Sequence, residues 1–164
     1  MKQMMNAAMH ISQEEMLKRS RWYGPNLLTV ITDASETNGA FGIVRNLMRK
    51  GFEPPLHIHT REDESNFVLD GEIVFSVGDE KIYARKGDFI FLPRNVPHTF
   101  QIISDTAETL LLITPGGFET MFVECSRPAG SLELPPLSGK PPAEFFEKIR
   151  TVSERLGASF LPIF

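Results

Sequence analysis

Cysteine is almost absent from this sequence, since Cys125 is the single one in 164 residues. An internal disulfide is therefore excluded, which fits a reducing compartment. Tryptophan and tyrosine are also scarce, with one and two residues against thirteen phenylalanines. Most aromatic side chains thus carry no hydrogen-bonding group, which favours an interior that forms few polar contacts.

A block of basic residues and a long apolar run are also missing. The formal net charge is −4, so nothing in the composition favours nucleic acid or an anionic membrane as a partner. No segment is long and apolar enough to span a bilayer, and residues 1–10 are Met-rich without the apolar run of a signal peptide. We therefore expect a soluble cytoplasmic protein.

The chain length suits one domain with a core of its own. Ser12 followed by Glu15 has the form of a capping box, which predicts a short helix over residues 13–18. We expect residues 1–24 to form an N-terminal arm with this helix and residues 25–125 to form the β-domain.

Residues 126–164 differ in character from the rest of the chain. Residues 126–142 are rich in proline, which predicts an extended arm. An amphipathic helix is predicted after it, stopped by Gly157; its apolar stripe consists of Phe145, Ile149, Val152 and Leu156. This stripe must be buried against the β-domain or against another chain.

Between these ends, short apolar and β-branched runs alternate with turn residues. Asp70-Gly71 is a strong signal for a two-residue hairpin. Many short strands at this spacing indicate an antiparallel sandwich or barrel and disfavour alternating β/α units. The predicted strands cover residues 27–32, 41–48, 66–69, 73–75, 81–84, 89–92, 98–103 and 109–114.

Three of the four histidines fall in two short segments, at residues 57–59 and at residue 98. His57 and His59 are two residues apart and would face the same side of a strand, and Glu64 and His98 follow nearby. Imidazole and carboxylate groups bind first-row divalent metals at about 2 Å. A single histidine on a strand is usually only a packed or exposed side chain, but this combination favours a metal site. Residues 62 and 63 are interpreted as part of a solvated acidic turn.

The spacing of these residues resembles the first cupin motif. Gly51-x5-His57-x-His59-x4-Glu64-x6-Gly71 has every defining position of that motif. The resemblance implies a small β-barrel with a metal ion near one open end.

A second block is similar to the second cupin motif, with two departures. Gly87-x5-Pro93-x-Asn95-x2-His98 has asparagine where the family usually has glycine, and Ile102 stands where it usually has asparagine. The first departure is mild, because asparagine tolerates positive φ better than most residues. The second replaces a polar wall residue with an apolar one.

The resemblance implies an all-β fold: an antiparallel cupin β-barrel of jelly-roll type, here with a short N-terminal and a C-terminal amphipathic helix. It also implies one divalent transition metal ion (Fe, Mn, Ni, Co, Cu or Zn), a small-molecule substrate and frequently a homodimer. The implied metal ligands are His57, His59, Glu64 and His98.

A narrower similarity points to single-domain cupins related to bacterial quercetin dioxygenases. It rests on residues 54–57 (PPLH), 62–64 (EDE) and 115–119 (PGGFE). In such enzymes the ligand glutamate also accepts the substrate proton, which implies a catalytic role for Glu64. If His98 faces inward, Phe100 and Ile102 share its side and are candidate walls of the substrate pocket.

Three functions fit this reading. The first is a metal-dependent dioxygenase, an oxidoreductase acting on a small aromatic or enolic, flavonol-like compound. The second is another metal-dependent cupin enzyme, an isomerase or decarboxylase, which uses the ion as a Lewis acid without O2. The third is a non-catalytic small-molecule-binding cupin, because the barrel alone does not decide among them.

Overall fold

The computed structural model describes residues 8–162, so the Met-rich segment at residues 1–7 lies outside the described part. The three helices are α1 (Gln13–Lys18), α2 (Glu119–Glu124) and α3 (Ala143–Leu156). The strands are β1 (Ser20–Tyr23), β2 (Asn26–Thr32), β3 (Gly42–Arg49), β4 (His57–His59), β5 (Asp63–Asp70), β6 (Glu72–Val77), β7 (Glu80–Arg85), β8 (Phe89–Leu92), β9 (His98–Ile102), β10 (Thr106–Thr114), β11 (Arg127–Pro128) and β12 (Ala158–Phe160). Each strand predicted from the sequence overlaps one of these.

The strands form two antiparallel sheets that pack against each other. One has the order β11-β1-β2-β3-β10-β5-β8 and the other β12-β4-β9-β6-β7. Inward residues of both sheets meet in one apolar cluster, as Val68 and Ile90 from the first sheet contact Ile73 and Ile102 from the second. The all-β, antiparallel jelly-roll architecture predicted from the sequence is therefore confirmed.

The predicted hairpin at Asp70-Gly71 was wrong. β5 pairs with β8 and β10, whereas β6 pairs with β7 and β9, so this turn carries the chain from one sheet to the other. Gly71 has φ +85°, and a Cβ there would lie 2.6 Å from the Thr106 carbonyl oxygen. The dipeptide met the demand for positive φ, but positive φ does not determine which strands pair.

Both predicted helices are present. The Ser12 hydroxyl accepts a hydrogen bond from the Glu15 N–H, and α1 covers residues 13–18 as expected. α3 ends where Gly157 takes the left-handed conformation, with φ +95°. Ile149 and Val152 of its apolar stripe are buried in a cluster with Leu28 of the first sheet. The stripe thus packs on the β-domain of its own chain.

Several elements were not foreseen in the sequence. β1, α2, β11 and β12 are short, and their segments carry little periodicity. β11 pairs with β1, and β12 adds a strand next to β4, with Phe160 opposite His57. The C-terminal segment therefore extends the sheet that carries the three predicted site histidines.

None of the helices within residues 8–162 combines the length and the apolar character that a membrane crossing requires.

Candidate metal centre

The three histidines of the site lie on two neighbouring strands of one sheet. His57 and His59 occupy the ends of β4 and share a face, with Ile58 between them on the other face. His98 begins β9 and lies directly opposite His57 in the strand register. This pairing joins the two histidine blocks of the sequence.

The carboxylate of the site comes from the other sheet. Glu64 lies on β5, where Glu64, Asn66 and Val68 alternate inward and Phe67 points outward. The glutamate therefore approaches the histidines across the gap between the two sheets. Packing of the sheets, and not proximity along the chain, determines this contact.

The four side chains converge. One ligand atom from each of His57, His59, Glu64 and His98 can be chosen so that all lie within 4.8 Å of one another. Glu64 Oε2 lies 3.4 Å from His98 Nε2, and Glu64 Oε1 lies 3.8 Å from His59 Nε2. The rings of His59 and His98 are nearly parallel, with centroids 5.5 Å apart. The structure thus brings together the four residues expected from the sequence.

The Nδ1 atoms of these histidines point away from the centre to other partners. His57 Nδ1 lies 2.9 Å from the Pro55 carbonyl oxygen, and His98 Nδ1 lies 3.1 Å from that of Val96. A carbonyl oxygen only accepts hydrogen bonds, so each Nδ1 carries the proton. Each Nε2 is then left with a free lone pair, the form in which imidazole binds a metal.

A metal ion fits this donor set. The buried Nε2 of His98 has no hydrogen-bond partner, and a buried polar atom left unpaired costs about 1–3 kcal/mol. A divalent transition metal would accept its lone pair together with those of the two other imidazoles and a carboxylate oxygen. Imidazole and carboxylate donors in this combination suit first-row divalent ions.

The surroundings shift the pKa values of the cluster. Burial and, after it, the neighbouring His98 lower the pKa of His57 to about 4. Burial alone would raise the pKa of Glu64, but the adjacent His98 and His59 lower it to about 2. At neutral pH His57 is therefore neutral and Glu64 is ionised, which are the protonation states that bind a cation.

Aromatic rings border the cluster. Phe118, which precedes α2, places its ring edge-on to His59 with centroids 4.3 Å apart, and Phe160 of β12 lies 6.0 Å from His57. Phe100, one of the two predicted wall residues, is partly buried against Phe75. The other, Ile102, is almost fully buried in the apolar cluster between the sheets.

Two acidic residues of the predicted solvated turn behave differently. Asp63 pairs with Arg94 at 2.7 Å on the surface, as a solvated residue would. Glu62 is only 5% exposed, and its Oε2 lies 3.4 Å from His59 Nδ1. The interpretation of Glu62 as solvated was therefore wrong. Its position three residues after His59, beyond a turn, was the signal available in the sequence.

Comparison with known proteins identifies relatives of this chain. The family model described as "Cupin domain" matches residues 45–114. The chain is 25% identical over 118 residues to quercetin 2,3-dioxygenase of Bacillus subtilis, covering 72% of this chain and 35% of that protein. It is 38% identical over 71 residues to quercetin 2,3-dioxygenase of Aspergillus japonicus, covering 40% and 20% respectively. The chain thus spans about a third or less of the length of these two relatives.

Solved structures share the fold. KdgF from Halomonas sp. superposes with a TM-score of 0.53 at 17% identity, covering 58% of this chain and 84% of that one. The nucleoside dehydratase Pac13 gives 0.54 at 20% identity, with coverage of 70% and 88%. Oxalate decarboxylase from Bacillus subtilis gives 0.52 at 22% identity, with coverage of 60% and 27%. At these identities the likeness concerns the fold alone.

Proposed function

We propose that this chain, whose residues 45–114 match the cupin domain model, is a metal-dependent dioxygenase acting on a small aromatic or enolic, flavonol-like compound. The observation that carries the proposal is the convergence of His57, His59, Glu64 and His98 between the sheets. The similarity to two quercetin 2,3-dioxygenases supports this choice among cupin activities.

In this proposal the four side chains hold one divalent ion, which is Fe, Mn, Ni, Co, Cu or Zn. When bound, the ion supplies Lewis-acid chemistry and a meeting point for the substrate oxygen and O2. The three Nδ1 contacts keep the imidazole rings oriented, and the packed sheets exclude water from the inner side of the cluster. The ligand types do not discriminate among these metals.

Glu64 is the proposed proton acceptor of the site. Its low pKa keeps the carboxylate ionised, so it can take the proton of a substrate hydroxyl. The same low pKa makes that transfer uphill in energy. Burial of the substrate against apolar side chains reduces the penalty, since desolvation raises the basicity of a carboxylate.

Phe100 and Ile102 are the proposed walls of the substrate pocket, and the rings of Phe118 and Phe160 also lie next to the histidines. Flat apolar walls around a few polar groups suit an aromatic compound with one metal-binding oxygen. The cytoplasmic location predicted from the sequence remains part of this proposal.

The deciding experiment is oxygen uptake with a panel of flavonols after reconstitution with each of the six metals in turn. Substrate-dependent uptake that is lost in Glu64→Gln is expected. Turnover that persists under strict anaerobiosis would instead indicate a Lewis-acid isomerase or decarboxylase. Tight binding without turnover for every metal would indicate a non-catalytic binding protein.

We further propose that the partner of this chain is a second copy. β8 is the last strand of its sheet. Its Phe89 and Phe91 are 62% and 53% exposed, and Phe67 on the neighbouring strand β5, opposite Phe89, is 41% exposed. No charged residue interrupts the short strand β8, although exposed edge strands usually carry one. Antiparallel pairing of two β8 edges about a two-fold axis would continue both sheets and bring the rings of the two copies side by side, where they shield one another from water.

Light scattering coupled to size exclusion tests this dimer. We expect the wild-type chain to be dimeric and the double variant Phe89→Ser/Phe91→Ser to be monomeric. Phe146→Ser is the matched control, because Phe146 is 52% exposed and lies on α3, whose buried residues belong to a different apolar cluster from those of β8. A monomeric wild-type protein, or a double variant that stays dimeric, contradicts the assignment.

A further inference from the structure

The three histidines of the centre differ in what holds their outer nitrogen. For His57 and His98 the partner is a backbone carbonyl two residues upstream, at Pro55 and Val96. For His59 it is a side chain, since Nδ1 lies 3.4 Å from Glu62 Oε2. The orientation of His59 therefore depends on a side chain, which a substitution can remove, whereas a backbone carbonyl would remain.

We infer that Glu62 is a positioning residue that sets the tautomer of His59 for metal binding. A carboxylate oxygen accepts hydrogen bonds, so in the neutral form of His59 the single ring proton sits on Nδ1. Nε2 is then unprotonated and faces Glu64 at 3.8 Å. The inference rests on the proposed metal site, in which that lone pair is a ligand.

The burial of Glu62 argues for this role over a merely structural one. Burying a carboxylate is costly unless it is paired, and Glu62 is only 5% exposed. Within residues 8–162, His59 is the hydrogen-bond partner of its side chain. In the described residues the Glu62 carboxylate therefore holds the His59 ring, and it forms no hydrogen bond that would stabilise a loop or the end of a strand.

Phe118 completes the alignment of His59. Its ring lies edge-on to the imidazole, with an angle of 78° between the planes. This packing limits the tilt of the imidazole but does not select which nitrogen carries the proton. The tautomer is the property that Glu62 alone controls.

Two readouts test the inference on the full chain. The first is affinity for Co²⁺, measured by competition with a chromophoric chelator. The second is the ¹⁵N chemical shift of the His59 ring nitrogens in metal-free protein, recorded at a pH high enough to keep the ring neutral, where the shift reports the tautomer directly. Glu62→Ala and the near-isosteric Glu62→Met remove the acceptor, and either suffices if the other folds poorly. Glu62→Gln keeps an acceptor oxygen.

We expect the Ala and Met variants to bind Co²⁺ about 10–100-fold more weakly, the usual cost of losing an orienting partner. Their His59 ring should become a mixture of tautomers. Glu62→Gln should retain most of the affinity and the Nδ1–H form. Glu53→Ala is the control, since Glu53 is another carboxylate that accepts hydrogen bonds, but from the backbone N–H groups of Gly51 and Ile102; it should change neither readout.

The inference is overturned if Glu62→Ala and Glu62→Met keep both wild-type Co²⁺ affinity and the Nδ1–H tautomer. It is also overturned if Glu53→Ala weakens binding to the same extent, because the effect would then be general. Failure of the wild-type chain to bind any of the metals would instead reject the proposed function. The tautomer of metal-free His59 still decides the role of Glu62 in that case.

Discussion

The backbone of Asn95 takes the left-handed conformation, with φ 62°. Its N–H donates to the carbonyl of His59 at 2.7 Å, so the turn before His98 is tied to the strand that carries the other two histidines. Asparagine can occupy this region because its short polar side chain tolerates it. A residue that departs from the usual motif therefore preserves the backbone geometry that the site needs.

Removal of a single metal-binding side chain tests the proposed centre. His59→Ala should reduce the bound metal from one ion per chain to a small fraction, because one of four donors is lost. The fold should persist, since β4 is held by backbone hydrogen bonds to β9 and β12. Elemental analysis with circular dichroism measures both properties.

His10→Ala is the control for that experiment, because His10 is exposed and distant in sequence from the two motifs. It should leave the metal content unchanged. If His59→Ala retains full stoichiometry, His59 is not a ligand.

The lowered pKa of His57 predicts an acid-sensitive metal-free protein. In the unfolded chain the imidazole takes up a proton near its ordinary pKa of about 6.5, whereas in the folded chain it does so only near 4. Between these values the unfolded state binds more protons, so the free energy of unfolding decreases as the pH falls from about 6.5 to 4.

Chemical denaturation at a series of pH values measures this slope. His57→Gln should flatten it, because glutamine does not titrate. The difference between the two profiles isolates His57 from His59, whose raised pKa acts in the opposite direction. Parallel profiles would contradict the assignment.

At the scale of elements, β4 shows how little regular structure the centre requires. It has three residues, yet it lies between β9 and β12 and holds two site histidines on one face. The turn at Gly71 is equally short and moves the chain from the sheet that carries Glu64 to the sheet that carries the histidines. Short elements thus position the ligands of the site.

Gly71→Ala should destabilise the fold by more than Gly51→Ala. Both glycines have positive φ, +85° and +94°, so each variant incurs the left-handed penalty of about 1–2 kcal/mol. At Gly71 the new methyl group also meets the Thr106 carbonyl at 2.6 Å and Ala107 Cα at 2.9 Å, whereas at Gly51 nothing lies within 4 Å.

Urea denaturation of the two variants gives the comparison. The additional loss in Gly71→Ala measures the backbone contact at the sheet-to-sheet turn. Equal losses would mean that the turn relaxes and that the close approach costs nothing.

At the scale of the whole molecule, the site exists only when the two sheets pack. α3 contributes to that packing from outside the strands, since Ile149 and Val152 are buried against Leu28 and Met121. β12 follows α3 directly and pairs with β4. The C-terminal segment therefore supports both the core and the strand of the histidines.

Deletion of residues 143–164 should lower the thermal stability and solubility, because it exposes this apolar cluster and removes the neighbour of β4. Val152→Asp should reproduce the loss of stability in the full-length chain by placing a charge in the cluster. Thr151→Asp, on the exposed side of α3, is its control. If the truncated protein has the melting temperature and solubility of the full chain, α3 does not stabilise the β-domain by docking on it.

Features that depend on local geometry could be predicted from the sequence. The two-residue period placed His57 and His59 on one face, Ser12 and Gly157 marked the ends of helices, and Asn95 was compatible with positive φ. Sterics within a few residues decide each of these, and the cupin spacing added the expectation that His98 and Glu64 join the histidines.

The tertiary structure decided everything that depends on which strands pair. Asp70-Gly71 satisfies a hairpin turn locally, yet its flanking strands find partners in different sheets. Glu62 is acidic and lies in a turn, yet the tertiary structure buries it against His59. Pairing and burial are set by contacts between residues far apart in the chain, and a local pattern contains no information about them.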